Sequence, residues 1–263
     1  MRLPLIAMLV IVAGLLPEPA RAGAWTLDRG QAQVISGVTF SKASRRFDAN
    51  SKASQDVVFD KLLVQNTFEY GLTNAVTLYM APEYVMAQSA GEGQATIRAR
   101  SAAVEAGVRI LLLTRIGMFS IQGSGKSAGA FDMSVSAYKA SGSQAEIRLL
   151  YGRNYKFLGL DGFTDLQVAE RWIKRPRPNE MTIDATMGLW FTRTTLAMFK
   201  SYNIVSGGGG QAPYTFYRMH KLEFSLVQRI TSKWSFEIGV FASPLGQNIV
   251  AERGVGSALW YRF

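Results

Sequence analysis

Apolar and polar residues alternate one by one along most of this chain, and short polar or glycine-containing stretches interrupt the alternation. In 76–86, for example, Val76, Leu78 and Met80 alternate with Thr77 and Tyr79. Successive side chains of a β-strand point to opposite faces, so this pattern predicts strands with one apolar face. No stretch after residue 22 keeps a helical period, and the pattern therefore predicts an all-β chain.

The alternation defines twelve strands, within a range of ten to fourteen. They are predicted at 31–40, 59–70, 76–86, 99–112, 117–123, 145–155, 163–173, 182–191, 195–204, 217–229, 234–242 and 254–263. Many are about ten residues long, the length that crosses a bilayer at a tilt, whereas strands of soluble proteins average about five or six residues.

Long loops and short turns alternate between these strands. The segment 41–56 is polar and without an apolar period, so we expect a long exposed loop there. The segment 124–144 is the least defined, because 131–139 has strand character of its own. Strict alternation of connection length favours a transmembrane up-and-down antiparallel β-barrel over a sandwich with Greek-key connections.

The first 22 residues predict a cleaved signal peptide. Arg2 precedes the apolar run 3–16, and Ala20-Arg21-Ala22 matches a cleavage site before Gly23. We therefore expect residues 1–22 to be removed during export and residues 23–263 to form a single barrel domain.

Composition narrows the chemistry. The chain has no cysteine and one histidine, His220, and its loops show no calcium-binding spacing, so we predict no disulfide, metal site or cofactor. The formal net charge is +10. For an exported chain with scattered basic residues, this charge favours contact with an acidic membrane surface over nucleic acid.

The polar faces of the strands carry nearly equal numbers of acids and bases. If the apolar faces meet lipid, fifteen charged residues should line the lumen: Lys61, Glu69, Glu83, Glu105, Arg109, Glu146, Arg148, Asp165, Arg171, Asp184, Lys221, Glu223, Arg229, Glu237 and Arg262. Such a lumen should pair its charges across strands and should not select strongly for ions of one sign.

Charged loops and the C-terminus suggest contacts outside the lumen. Five basic loop residues are candidates for lipopolysaccharide phosphate, although a solvated charged loop explains them equally well: Arg45, Arg46, Lys174, Arg175 and Arg177. The chain ends on alternating residues with Tyr261 and Phe263 on the apolar face. This ending resembles the closing strand of Gram-negative outer-membrane barrels, which implies that both aromatics signal to the barrel assembly machinery.

Short motifs extend that resemblance along the chain. Glu69-Tyr-Gly-Leu-Thr-Asn74, the start Gly23-Ala-Trp-Thr-Leu with Gln31-Ala-Gln-Val, and the end Ala258-Leu-Trp-Tyr-Arg-Phe263 resemble outer-membrane proteins of the transporter class linked to the phenol meta-degradation pathway. The resemblance implies a channel or uptake role in the outer membrane of a Gram-negative bacterium, with outer-membrane lipid as surroundings and no catalytic residues.

Three functions remain open from the sequence. The first is a narrow channel or transporter for small, weakly polar or aromatic solutes. The second is a structural or lipopolysaccharide-binding barrel without a conducting pore. The third is a lipid hydrolase acting at the rim, for which His220 would need a serine or acid within reach. We predict no enzyme, because no catalytic motif accompanies this histidine.

Overall fold

The chain forms a closed antiparallel barrel of twelve strands, in a computed structural model that describes residues 23–91, 96–129, 142–208 and 214–263. The strands are β1 (Ala32–Phe47), β2 (Ala53–Thr73), β3 (Val76–Gly91), β4 (Ile97–Leu113), β5 (Met118–Lys126), β6 (Gln144–Phe157), β7 (Leu160–Ile173), β8 (Glu180–Trp190), β9 (Thr195–Ser206), β10 (Arg218–Arg229), β11 (Trp234–Gln247) and β12 (Arg253–Arg262). The predicted fold class and strand count are confirmed. The predicted signal peptide at 1–22 and the candidate strand at 131–139 lie outside the described residues.

Each strand pairs with its sequence neighbours, and β12 pairs with β1 to close the wall. The closing register runs from Gln33 opposite Arg262 to Lys42 opposite Arg253. Closure gives every strand two hydrogen-bonded neighbours, so the barrel has no free sheet edge.

The two ends of the barrel differ in their connections. Short turns at 74–75, 114–117, 158–159, 191–194 and 230–233 lie at one end, which we call the turn end, together with the start of β1 and the end of β12. The turn Leu158-Gly159 has positive φ at both residues, 50° and 81°, as a type I′ hairpin requires. The opposite ends of the strands form the loop end, where the described connections 48–52, 174–179 and 248–252 lie.

Apolar side chains cover the outside of the wall. In β11, Trp234, Phe236, Ile238 and Val240 are 40–55% exposed, while Glu237 between them is 8% exposed. Exposed apolar surface repeated on strand after strand is unfavourable in water and is what a lipid-facing wall presents. The described residues contain no helix with the length and hydropathy to cross a membrane.

The prediction of a long loop at 41–56 is wrong. β1 continues to Phe47 and β2 begins at Ala53, so only 48–52 connects them. The paired residues Lys42 and Asp60 face outward and contact each other at 3.6 Å, Nζ to Oδ1. The two strands remain paired in this region, but their outer face is polar. The alternation of apolar and polar residues that predicts the earlier part of β1 is therefore absent here.

Candidate functional site: the barrel lumen

The charged residues predicted for the lumen are all buried or half-buried in the structure. Five are less than 9% exposed: Lys61, Arg109, Glu146, Asp165 and Glu237. Burying an ion requires an opposite charge or several hydrogen bonds, so the arrangement of partners decides whether the interior is stable.

One network of ion pairs joins β6, β7 and β8. Glu146 accepts from Arg148 at 2.7 Å and from Arg171 at 2.8 Å. Arg148 also contacts Asp184 at 2.8 Å, and Arg171 contacts Glu180 at 2.8 Å. Each arginine thus bridges two carboxylates, which fixes this part of the wall.

Arg177 belongs to the same network, and its assignment to the exposed loop surface is wrong. Its side chain is 8% exposed and its Nη2 lies 2.5 Å from Glu180 Oε1. Tyr217 donates a hydrogen bond from its hydroxyl to the same carboxylate. The loop folds inward here because Glu180 provides a buried anion. The other candidate basic residues, Arg45, Lys174 and Arg175, are exposed, and Arg46 is half-buried and donates to Asn248 O at 2.8 Å.

Lys200 holds a second network on β9, β10 and β11. Its Nζ lies 2.8 Å from Glu223 Oε1 and 2.7 Å from Glu237 Oε1. Trp260 donates to the other oxygen of Glu237 at 3.2 Å. One lysine therefore balances two carboxylates that come from neighbouring strands.

Two further pairs lie on the side formed by β2 to β5. Arg109 contacts Glu69 at 3.0 Å, and Lys126 contacts Glu83 at 2.9 Å. Glu105 accepts from the Tyr79 hydroxyl at 2.8 Å. Near the rims, Arg262 donates to Gln33 at 2.7 Å, and Arg229 lies over the Trp190 ring at 5.1 Å.

The loop end contains a buried carboxylate between two lysines. Glu252 pairs with Lys61 and lies 3.3 Å from the Nζ of Lys221, and Ser41 donates to it at 2.5 Å. Glu252 follows the β11–β12 connection, which folds into the mouth of the barrel. Ile249 packs there with Phe47 and Met219, and Val250 with Phe59 and Ala43.

The segment 23–29, which precedes β1, occupies the lumen at the turn end. Ala24 N–H donates to Asp165 at 2.7 Å, and its carbonyl accepts from Ser120 at 2.5 Å. Arg109 donates to Trp25 O at 3.0 Å, and Leu27 N–H donates to Thr77 at 2.8 Å. All four of these bonds join a main-chain group of the segment to a side chain of the wall, and the four side chains belong to β3, β4, β5 and β7. The segment is therefore held to several strands at once.

Trp25 fills the centre of this end. Its ring meets Phe163 edge-on, with centroids 5.8 Å apart at 90°, in a cluster with Leu150, Leu196 and Trp260. Gly152 faces the ring so closely that a Cβ there would lie 2.7 Å from Trp25 Cη2. Because the segment fits closely at the turn end, the solvent-filled space of the lumen lies between this segment and the loop end.

That space consists of two adjoining cavities of about 490 and 210 Å³ that share lining residues. Their walls differ in character. On β11, β12, β1 and β2, apart from Lys61 and Glu237, the lining is small or uncharged, and we call it the neutral wall: Ile35, Gly37, Thr39, Leu63, Gln65, Thr67, Gly239, Phe241, Gly256 and Ala258. The opposite wall carries the ion pairs, among them Glu83, Lys126, Arg171, Asp184 and Glu223.

His220 is separate from the lumen. It alternates with the interior residues Met219 and Lys221, and its Nδ1 contacts Asn203 on the outer face of β9. Asn203 donates to Ser201 at 3.1 Å. The hydrogen bond found for His220 among the described residues is the one with Asn203, so the structure provides an orienting amide but no serine or acid on this histidine.

Several interior residues escape the sequence patterns. Lys200 sits at an interior position of β9 and could have been found by alternation, whereas Lys126 falls in the undefined segment 124–144. Glu180 and Glu252 adjoin loops, where the alternation of polar and apolar residues does not predict which way a side chain points. The insertion of 23–29 has no signal beyond its apolar residues Ala24, Trp25 and Leu27.

The geometry defines the class of the molecule: a closed, lipid-facing barrel with a partly filled, charge-paired lumen. Solved structures share this fold. An outer membrane channel from Pseudomonas putida F1 is similar over 94% of this chain and 100% of its own, at 10% identity and a TM-score of 0.71.

Two other barrels are more distant. The translocator domain of the autotransporter NalP from Neisseria meningitidis covers 90% of each chain at 11% identity with a TM-score of 0.57. The NanC porin covers 88% of this chain and 98% of its own at 8% identity with a TM-score of 0.51. At these identities the likeness is one of fold. No family model matches the sequence, and no curated protein matches it either.

Proposed function

We propose that this protein is an outer-membrane channel for small, uncharged or weakly polar solutes. The observation that carries the proposal is the pair of cavities beside the neutral wall. The lipid-facing exterior and the fold shared with outer-membrane barrels support the location. In this orientation the turn end and both ends of the barrel sequence face the periplasm, and the loop end faces outward.

The lining favours uncharged solutes. The opposite wall uses its ions on one another, so a charged solute would have to compete with contacts such as Arg171–Glu146 at 2.8 Å. Leu63 and Phe241 offer apolar contact, while Thr39 and Gln65 offer hydrogen bonds. This mixture suits small aromatic solutes, in agreement with the resemblance to the transporter class linked to phenol degradation.

Filling the neutral wall tests the proposal. A Cβ added at Gly256 would have Thr39 Oγ1 at 3.5 Å as its nearest neighbour, so a side chain fits the backbone and projects into the cavity. We expect Gly256→Leu to reduce the swelling rate of proteoliposomes in small neutral solutes several-fold. The control is Gly123→Leu on the exposed face of β5, where a Cβ meets nothing within 4 Å. Wild-type protein that is silent in bilayers and impermeable in liposomes would refute the channel and favour a structural barrel.

The exposed basic residues of the loops are proposed to contact lipopolysaccharide. Lys174 and Arg175 lie beside each other in the β7–β8 connection at the loop end, and Arg45 lies at the same end of the barrel, on β1. The double variant Lys174→Gln/Arg175→Gln should bind lipopolysaccharide vesicles more weakly. The same charge change at the turn end, Arg193→Gln/Lys233→Gln, should leave binding unaltered, because those exposed residues face the other side.

Tyr261 and Phe263 are proposed to present the assembly signal. Their rings stack at 5.2 Å between centroids, and Tyr261 also stacks on Trp234 at 4.4 Å. All three lie on the outside of the seam at the turn end, where a machine that inserts barrels could reach them.

Lipid hydrolysis is the remaining alternative, and it has weaker support. The His220–Asn203 contact orients the imidazole, but catalysis also needs a nucleophile on its other nitrogen. Purified protein that releases fatty acid from phospholipid vesicles, and loses this activity as His220→Ala, would establish the alternative. We expect wild type and His220→Ala to be equally inactive.

A further inference from the structure

Asp165 is a buried carboxylate whose partners carry no charge. It is 3% exposed, accepts from Ala24 N–H at 2.7 Å, and accepts from the Gln167 side-chain amide at 2.5 Å. The other buried acids of the described residues each contact a lysine or arginine: Glu146, Glu180, Glu237 and Glu252. Among the described residues no lysine or arginine lies within 4 Å of Asp165, and the charges of Arg109 and Arg148 act on it only from farther away. Asp165 therefore lacks the direct ion pair that the other buried acids have.

The backbone of Gly23 is directly against this carboxylate. A Cβ at Gly23 would lie 2.0 Å from Asp165 Oδ2 and 2.4 Å from Oδ1. Backbone bonds are about 1.5 Å long, so the Gly23 nitrogen lies within about 5 Å of the carboxylate. The lack of space for a side chain makes this position specific for glycine.

We propose that the cation is the α-ammonium of Gly23, created when the signal peptide is removed. A signal peptidase hydrolyses the Ala22–Gly23 peptide bond with one water, which leaves a carboxylate on Ala22 and an amine on Gly23 that takes up a proton at neutral pH. The predicted cleavage motif Ala20-Arg21-Ala22 places the new terminus at this residue. A neutral amide nitrogen thereby becomes the counter-ion of Asp165.

This pairing links processing to closure of the turn end. In the uncleaved precursor, docking Ala24 and Trp25 would bury Asp165 without a directly paired cation, which is less favourable than burying it with one. After cleavage the same docking buries an ion pair, and the segment 23–29 becomes anchored at its first atom. The segment is then held in the barrel more stably in the processed protein than in the precursor, whether or not the barrel conducts.

Mass and accessibility test the proposal. The intact mass of protein from the outer membrane should correspond to residues 23–263, and a different first residue would overturn the proposal. Because the chain has no cysteine, Leu27→Cys gives a single thiol at a position that is 4% exposed. In this background we expect Asp165→Asn to speed labelling by a water-soluble maleimide at least tenfold. Asp161→Asn, a change at an exposed aspartate of the same strand, should leave the rate unaltered.

A second variant separates charge from packing. Two serines inserted between Ala22 and Gly23 move the α-ammonium away and leave a neutral amide at Gly23, while Asp165 stays intact. We expect labelling as fast as in Asp165→Asn, and no further increase when both changes are combined, because they remove the same interaction. Slow labelling with the insertion, or additive effects of the two changes, would overturn the proposal. These readouts do not depend on conduction, so they stand apart from the test of the channel.

Discussion

Glu252 carries more of the interior order than its position beside a loop suggests. Its carboxylate contacts both Lys61 and Lys221 and accepts a hydrogen bond from the Ser41 hydroxyl. Side chains from three strands, β1, β2 and β10, therefore bind one carboxylate. The side chain of Lys61 is only 7% exposed, so bulk water cannot replace the carboxylate as its partner. Removing the anion would leave the buried ammonium group of Lys61 beside the half-buried one of Lys221, with no carboxylate between them.

We predict that Glu252→Gln lowers the free energy of unfolding by about 3 kcal/mol, in the range found when one partner of a buried pair is removed. Urea unfolding in detergent or liposomes measures it. The matched change is Asp161→Asn, which breaks the Lys156–Asp161 pair at 3.4 Å with side chains 75% and 54% exposed. That change should cost no more than about 1 kcal/mol. Equal losses for the two variants would contradict the role given to burial.

Whether a single side chain faces the lumen can be predicted only where polar and apolar residues alternate along a strand. Lys61 and Lys221 lie on strands with clear polar and apolar faces, so their facing can be predicted from sequence. Glu252 and Arg177 cannot be placed this way, because a loop has no repeating side-chain direction. The partners of Glu252 lie on β1, β2 and β10, and those of Arg177 are Glu180, three residues later, and Tyr217. The burial of Arg177 depends on Glu180 and Tyr217, 37 residues apart along the chain.

Strand β12 closes the barrel, because it pairs with both β11 and β1. It pairs with Gln33 to Lys42 of β1 and with Trp234 to Ala242 of β11. Phe263 extends the seam by one residue, exchanging two backbone hydrogen bonds with Ala32 at 2.9 and 3.0 Å. Its ring is 58% exposed and lies outside the packed interior, as the proposed assembly signal requires.

Phe263→Ala should therefore lower the amount of assembled barrel in the outer membrane several-fold, while the protein that does assemble conducts as wild type. Heat-modifiable mobility on gels reports the folded fraction. The comparison is Phe236→Ala, an outward ring of β11 that is 40% exposed. If both changes reduced assembly equally, the aromatic ending would be ordinary lipid-facing surface.

The sequence predicts the strands well where their outer face is apolar, because residues that face lipid alternate with polar ones. It predicts them poorly where the outer face becomes polar. The outer apolar face of β1 ends near Phe40, and the strand continues to Phe47 through backbone pairing and through Ala43 and Phe47, which pack on the inside. Segment 23–29 shows the opposite limit: it has apolar residues but no regular structure, and the interior of the barrel creates its binding site.

For the whole molecule, the paired interior predicts weak ion selectivity. The carboxylates of the described lumen mostly contact a lysine or arginine within 4 Å, so neither sign dominates the path. A lumen of this kind attracts cations and anions similarly.

Lys200→Gln should convert this balance into cation preference, because Glu223 and Glu237 would both lose their lysine partner. In a tenfold KCl gradient, we expect a wild-type reversal potential near zero and a shift toward the potassium equilibrium potential in the variant. Lys174→Gln, at an exposed loop position, should leave the potential near its wild-type value. An unaltered potential in Lys200→Gln would mean that ions do not pass this network.

The seam between β1 and β12 also governs when the molecule can be made. Gln33 and Arg262, which are hydrogen-bonded to each other, are 229 positions apart in the chain. While the polypeptide is still being synthesised, β1 has no final partner, and its edge is open to pairing with other chains. Folding dominated by such distant contacts is slow. The unfinished chain must therefore be kept apart from its copies until its last residue has been delivered.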